Sequence, residues 1–223
     1  SDVAGVFTHD LTPTLSSPAA ARALAAAAAA RGTRLTCHLK IDTGLNRLGF
    51  RFDNLQRSLP EVLASPSLDI EAMSTHFATA DDAEDPMFET QRLRFQAARD
   101  TVRTLGGQVR LAHAANSAAS LRDSRTWADL IRPGLLLYGL VPSPMATTVP
   151  LTPAMTLTSR VVAVKGIRAG ERIGYGGRHE AAAPMTIAVV PAGYAEGLDR
   201  RLEGRGVALA RGARAPTVGA VSM

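Results

Sequence analysis

"RLTCHLKID" occupies residues 34–42, and its alternation is strict. Leu35, Cys37, Leu39 and Ile41 fall on one face, and Thr36, His38, Lys40 and Asp42 fall on the other. A strand of an open parallel sheet, covered by helices on both sides, is expected to be apolar on both faces. A β/α barrel differs, because its strands can aim polar side chains at the lumen near an active site. A half-exposed antiparallel strand would show the same alternation, so the flanking sequence has to separate the two.

The flanks alternate strand with helix. Residues 4–10 (AGVFTHD) are predicted as a short strand. Residues 16–32 (SSPAAARALAAAAAARG) follow as a helix, with Ser17 as N-cap, Pro18 at the first helical position and Gly32 just past the end. Beyond the opening stretch, residues 52–65 look helical from Asp53 and residues 68–77 (LDIEAMSTHF) look like a strand. Asp85 and Pro86 then start a helix whose Phe88, Phe95, Ala98, Val102 and Leu105 share one face before Gly106 and Gly107. Residues 109–116 and 128–140 supply two more strands. Strands alternating with helices at this spacing call for parallel strands joined by crossover helices. A doubly wound sheet would satisfy that order too, and the polar face of residues 34–42 favours the barrel. Asp42, His76 and Asn116 all fall at strand ends, where barrel chemistry sits.

Past Val141 the texture changes. Residues 141–153 (VPSPMATTVPLTP) form a proline-rich linker, and short β-rich runs broken by glycine turns follow it. The expected architecture is α/β: a partial (β/α)8 TIM barrel over residues 1–150, then a partial all-β domain over residues 151–223.

Composition narrows the class. The chain has 223 residues, 46% of them hydrophobic and 20% charged, with a net charge of +5, which suits a globular protein with a real core. The arginines are scattered singly among acids, so no basic stripe marks a nucleic-acid surface. No apolar run is long enough to span a bilayer, and Cys37, the one cysteine, can form no internal disulfide. A cytoplasmic location is the default expectation. The chain opens without Met and stops in an apolar run, which is the expected look of a fragment.

Six stretches stand in order: HLKIDTGLNRLGF (38–50), STHFATADD (74–82), AHAANSAAS (112–120), IRPGLLLYGL (131–140), RIGYGG (172–177) and VVPAGYAEGLDRRL (189–202). Together they resemble alanine racemase, a family that uses pyridoxal 5'-phosphate to interconvert L- and D-alanine, and the resemblance runs the length of the chain. It implies that Arg132 faces the pyridine nitrogen of the cofactor. It places the phosphate on the backbone N–H groups of Gly134 and Leu135, with Ser117 helping and Asn116 as a buttress. His76 is implied beside the cofactor ring, hydrogen-bonded to both Arg132 and a catalytic tyrosine. That tyrosine corresponds to Tyr175, contributed by the other subunit of a homodimer.

Arg47 corresponds to the arginine that holds the substrate carboxylate side and the phenolic oxygen of the cofactor. Lys40 corresponds to a lysine often carbamylated, which then steadies Arg47. Tyr194 and Met223 correspond to substrate-side positions, and Glu196 stands where most relatives carry Asp. Taken singly, each residue has an ordinary alternative: a surface ion pair for Arg132, a turn for the RPG segment, a turn tyrosine for Tyr175, simple packing for Tyr194.

One element of the family pattern is missing. The lysine that anchors the cofactor and serves as second base lies in a motif near the family's amino terminus, and the two lysines here, Lys40 and Lys165, are not in it. The expectation is a racemase supplying D-alanine for peptidoglycan, with these residues alone inactive, since five strands do not close an eight-stranded barrel. A racemase for serine or a broad set of amino acids, a non-catalytic cofactor carrier, and a degenerate remnant are the competing expectations.

Overall fold

The structure, a computed structural model, describes residues 3–223. The chain divides between Met155 and Thr156 into two compact units.

The first unit is built on a parallel sheet of β1 (Thr14–Leu15), β2 (Leu35–Asp42), β3 (Phe50–Arg51), β4 (Leu68–Ser74), β5 (Leu111–Asn116) and β6 (Leu130–Arg132). The spatial order is β1-β2-β4-β5-β6, with β3 paired to β2 off that path. Neighbours in space therefore follow the order of the chain, without the reversal that creates the switch point of a doubly wound sheet. This is the arrangement of part of a β/α barrel followed by a β-rich unit.

Among the described residues seven α-helices accompany the sheet: α1 (Val3–Thr8), α2 (Pro18–Ala30), α3 (Leu55–Ser58), α4 (Pro60–Leu63), α5 (Met87–Thr104), α6 (Ser117–Arg122) and α7 (Gly134–Leu137). Helix α2 starts where the Ser17 side chain accepts the Ala20 N–H at 3.2 Å, and Gly32 turns the chain away at φ +62°. A cap of this kind stabilises a helix by about 1 kcal/mol.

The alternation of β2 is reproduced in its burial: Leu35, Cys37, Leu39 and Ile41 are buried, and the residues between them are half-buried. The buried face joins Leu24 of α2 and Phe88, Phe95 and Val102 of α5 in one core. Each large side chain so buried contributes about 1.5–3 kcal/mol. The opposite face carries His38, Lys40, Glu71, His113 and Arg132, and this division separates the stability of the unit from its chemistry.

Two expectations are corrected. Residues 4–10 form no strand: they lie mostly within helix α1, and the first strand is the two-residue β1. Val3, Val6 and Phe7 pack against the core at i, i+3, i+4, a helical spacing that the short apolar run concealed. Residues 128–140 are likewise not one strand. Pro133 offers no N–H to a ladder, so β6 ends at Arg132 and the chain turns into α7.

The second unit contains three antiparallel pairs: β7 (Ala163–Ile167) with β10 (Met185–Val189), β8 (Arg172–Ile173) with β9 (His179–Glu180), and β11 (Val207–Ala210) with β12 (Ala213–Pro216). Single 3₁₀ turns at Tyr175–Gly177, Tyr194–Glu196 and Arg200–Leu202 interrupt them.

Candidate active site

Arg132 is the last residue of β6, and its guanidinium is tied by three bonds. Nη1 meets Nδ1 of His113 at 2.6 Å, and Nη2 donates to the carbonyls of Thr75 at 2.6 Å and Ala114 at 3.1 Å. A guanidinium only donates, so Nδ1 of His113 is an acceptor and its proton sits on Nε2. That nitrogen is 3.2 Å from Nδ1 of His38, whose Nε2 faces Glu71 Oε2 at 3.4 Å. The sense of both bonds follows from this one end: Arg132 donates to His113, and His113 to His38, which leaves Nε2 of His38 facing the Glu71 carboxylate. His113 is 7% exposed, and burial, with Arg132 next and His38 and Lys40 behind it, pushes its pKa down to about 4.

The implied bond from Arg132 to His76 is not among those of the described residues; the histidine that receives the guanidinium is His113. The physical reason is the register of β5 with β6, which pairs His113 with Leu130 and Asn116 with Arg132 and so sets the His113 ring under the guanidinium. His76 follows β4 and is half-buried. Burial first, then the charges of Lys40, Arg132 and Arg47, push its pKa down to about 4. Lys40, on the polar face of β2, is lowered by burial, then by Arg132 and Arg47, with Asp42 acting in the opposite sense. Arg47 is exposed in the loop after β2. Arg132 thus lies in one field with Lys40, His76 and His113, and the pKa values of all three are lowered in it.

Beside them, the Asn116 side chain caps α6 by accepting the Ala119 N–H at 2.9 Å and donates to the Phe77 carbonyl at 3.3 Å. Arg122 of α6 holds the continuation of that loop through the carbonyls of Thr79, Ala80, Asp82 and Ala83. Ser117 Oγ accepts the Leu136 N–H at 3.4 Å. Among the described residues the N–H groups of Gly134 and Leu135, in the first turn of α7, have no hydrogen-bond partner, and a Cβ on Gly134 would meet nothing within 4 Å.

The second unit carries the remaining candidates. Tyr175 is 78% exposed in a turn opened by Gly174. Tyr194 donates its N–H to the Ser222 carbonyl at 3.0 Å, which brings Met223 alongside. Glu196 accepts the Gly193 N–H at 2.8 Å, so the longer acid closes its turn locally.

Residues 1–142 match the family described as alanine racemase, N-terminal domain, and residues 154–223 match alanine racemase, C-terminal domain. The chain belongs to the alanine racemase family. A curated alanine racemase of Syntrophobacter fumaroxidans is 39% identical over 224 residues, covering all of this chain and 60% of the relative. The alanine racemase of the D-cycloserine producer Streptomyces lavendulae superposes with a TM-score of 0.93 at 31% identity, over 100% of this chain and 60% of that one. The Bartonella henselae alanine racemase, whose structure carries covalently bound pyridoxal phosphate, matches with a TM-score of 0.83 over 98% of this chain and 59% of its own, a likeness of fold alone at 24% identity. The chain spans about 60% of the length of these alanine racemases.

Two features of this member of the alanine racemase family went unnoticed in the sequence. His113 sits in AHAAN among alanines, and only strand register reveals its partner. Gln91 had a visible signal: positions 88, 91, 95, 98 and 102 form one buried stripe of α5, and 91 is its single polar member. Among the described residues no cluster of His, Cys, Asp or Glu has the makings of a metal site, and no helix is long and apolar enough to cross a membrane.

Proposed function

We propose that the protein is a pyridoxal-phosphate-dependent racemase that interconverts L- and D-alanine by two bases, in the cytoplasm, for peptidoglycan. The carrying observation is Arg132: a permanent cation, anchored by three bonds at a strand end, beside His76, whose pKa is pushed down to about 4, and Lys40, whose pKa is lowered from its ordinary value.

The residues fit the cofactor's chemistry. The unpaired N–H groups of Gly134 and Leu135, with the Ser117 hydroxyl near α7, are a donor set suited to a phosphate. Pyridoxal phosphate, when bound, supplies the conjugated ring that spreads the negative charge left at the α-carbon. Arg132 would stand toward the ring nitrogen and, as a permanent cation, would disfavour a second positive charge there. A ring so held would be the weaker electron sink, a property that would favour racemisation over transamination. Arg47 holds the carboxylate side of the substrate, and Lys40, its pKa lowered by burial and then by Arg132 and Arg47, reacts as its neutral amine with carbon dioxide, losing a proton, to give an anion between the cations. Met223 and Tyr194 border the substrate.

Inversion needs one proton removed and another delivered on opposite faces. Tyr175 of the second subunit of a homodimer is proposed for one face, supported by neutral His76, and the cofactor-anchoring lysine of the family for the other. A β-rich unit bearing such a tyrosine has no place in a mere cofactor carrier.

The test is the full-length protein purified with pyridoxal phosphate. L-Alanine should lose its optical activity, followed by circular dichroism, and a panel of L-amino acids should show alanine as the best substrate. A yellow, cofactor-loaded protein that leaves alanine and serine unracemised would refute the reading.

A further inference from the structure

Gln91 is fully buried in the stripe that α5 turns to the core. An amide in such a place destabilises the fold unless its polar atoms are paired, and both ends are. Oε1 accepts the Ala78 N–H at 2.8 Å, and Nε2 donates to the His76 carbonyl at 3.0 Å and the Thr43 hydroxyl at 3.1 Å. A backbone N–H only donates and a carbonyl only accepts, so the main chain dictates which way the amide points.

The Thr43 hydroxyl lies 2.7 Å from that of Thr75, both sealed from solvent, and the Thr75 carbonyl receives Arg132. The loop after β4 is therefore held at Thr75 from the Arg132 side and at His76 and Ala78 from α5. Gly44 follows Thr43 at φ +142°, a backbone angle that L side chains rarely adopt, with the flexible end of Met87 close against it. Arg94, one turn beyond Gln91, adds a bond to the Thr43 carbonyl at 3.0 Å.

We propose that Gln91 is a positioning residue, clamping the backbone on both sides of His76 and so fixing where its imidazole stands relative to Arg132 and Lys40. The inference rests on the racemase reading for the role of His76, while the clamp itself is independent of it.

Gln91→Leu removes the clamp, and Gln91→Met does so while keeping the length of the side chain; Val102→Ala is a cavity control on the same helix. In the full-length protein freed of cofactor, hydrogen exchange at residues 76–80 should rise at least about tenfold in the Gln91 variants while α5 stays protected. In the holoenzyme, kcat for alanine should fall about 10–100-fold, with KM within about twofold of wild type. Val102→Ala should lower stability and leave kcat near wild type. Unchanged exchange and kcat in Gln91→Met, or an equal loss of kcat in Val102→Ala, would overturn the proposal. An inactive wild-type holoenzyme whose Gln91 variants still show the raised exchange would sink the racemase reading and support the clamp.

Discussion

Acid should destabilise the protein through His113 before most carboxylates are protonated. In the fold its Nδ1 is occupied by Arg132 Nη1 at 2.6 Å, so a second proton would have to enter between an imidazole and a guanidinium. The folded pKa is about 4 against an ordinary 6.5. The folded-state value is the lower one, so the unfolded chain binds the proton more readily. Stability is full above about pH 6.5, falls between there and about pH 4, and is flat below. The distance between those values, at about 1.4 kcal/mol per pH unit, gives about 3 kcal/mol. With 7% of the residue exposed, solvent screening removes little of it.

The assay is urea unfolding of the full-length protein, followed by circular dichroism from about pH 7 down to about pH 4. His113→Asn is the comparison, since its Oδ1 can still receive Arg132 and does not titrate. Other acid-sensitive groups, His76 among them, cancel in the difference. The wild type should lose about 3 kcal/mol more than the variant over this range. A difference that stays level with pH would refute the reasoning.

Other outcomes are equally open to measurement. Leu39→Ala empties a fully buried site in β2 and should cost about 2–5 kcal/mol in urea unfolding. Gly193→Ala sets a Cβ against the carbonyl of Ser222 and the backbone of Met223; alanine KM should rise about tenfold, more than kcat falls, in steady-state assays. Tyr175→Phe should slow α-proton removal from one enantiomer at least about 100-fold more than from the other, read as deuterium uptake from heavy water. An equal loss for both enantiomers would count against two separate bases.

The fold was legible where a period ran long enough. Eight residues of alternation in β2 gave a strand with a polar lumen face, and Ser17, Pro18 and Gly32 bounded α2. Residues 4–10 failed because Val3, Val6 and Phe7 mark a single helical turn and a half, too short for its period to stand out against a strand. β1 failed for a related reason: two residues leave no pattern at all. At the site, Arg132 was legible from its motif, yet its partner was not, because His113 lies 19 positions away and meets it only through the register of two strands. Gln91 is the opposite case. It broke an otherwise apolar stripe in plain view, and a buried polar residue in such a stripe announces a tertiary hydrogen bond before any coordinates exist.

The fixed sense of the bonds from Arg132 through His113 to His38 also governs what can travel along them. A hydrogen ion arriving from the His38 end finds Nε2 of His113 already carrying one, and travel the other way would have to begin with a guanidinium giving up its own. The pair of imidazoles therefore makes a poor path for hydrogen ions between Arg132 and His38.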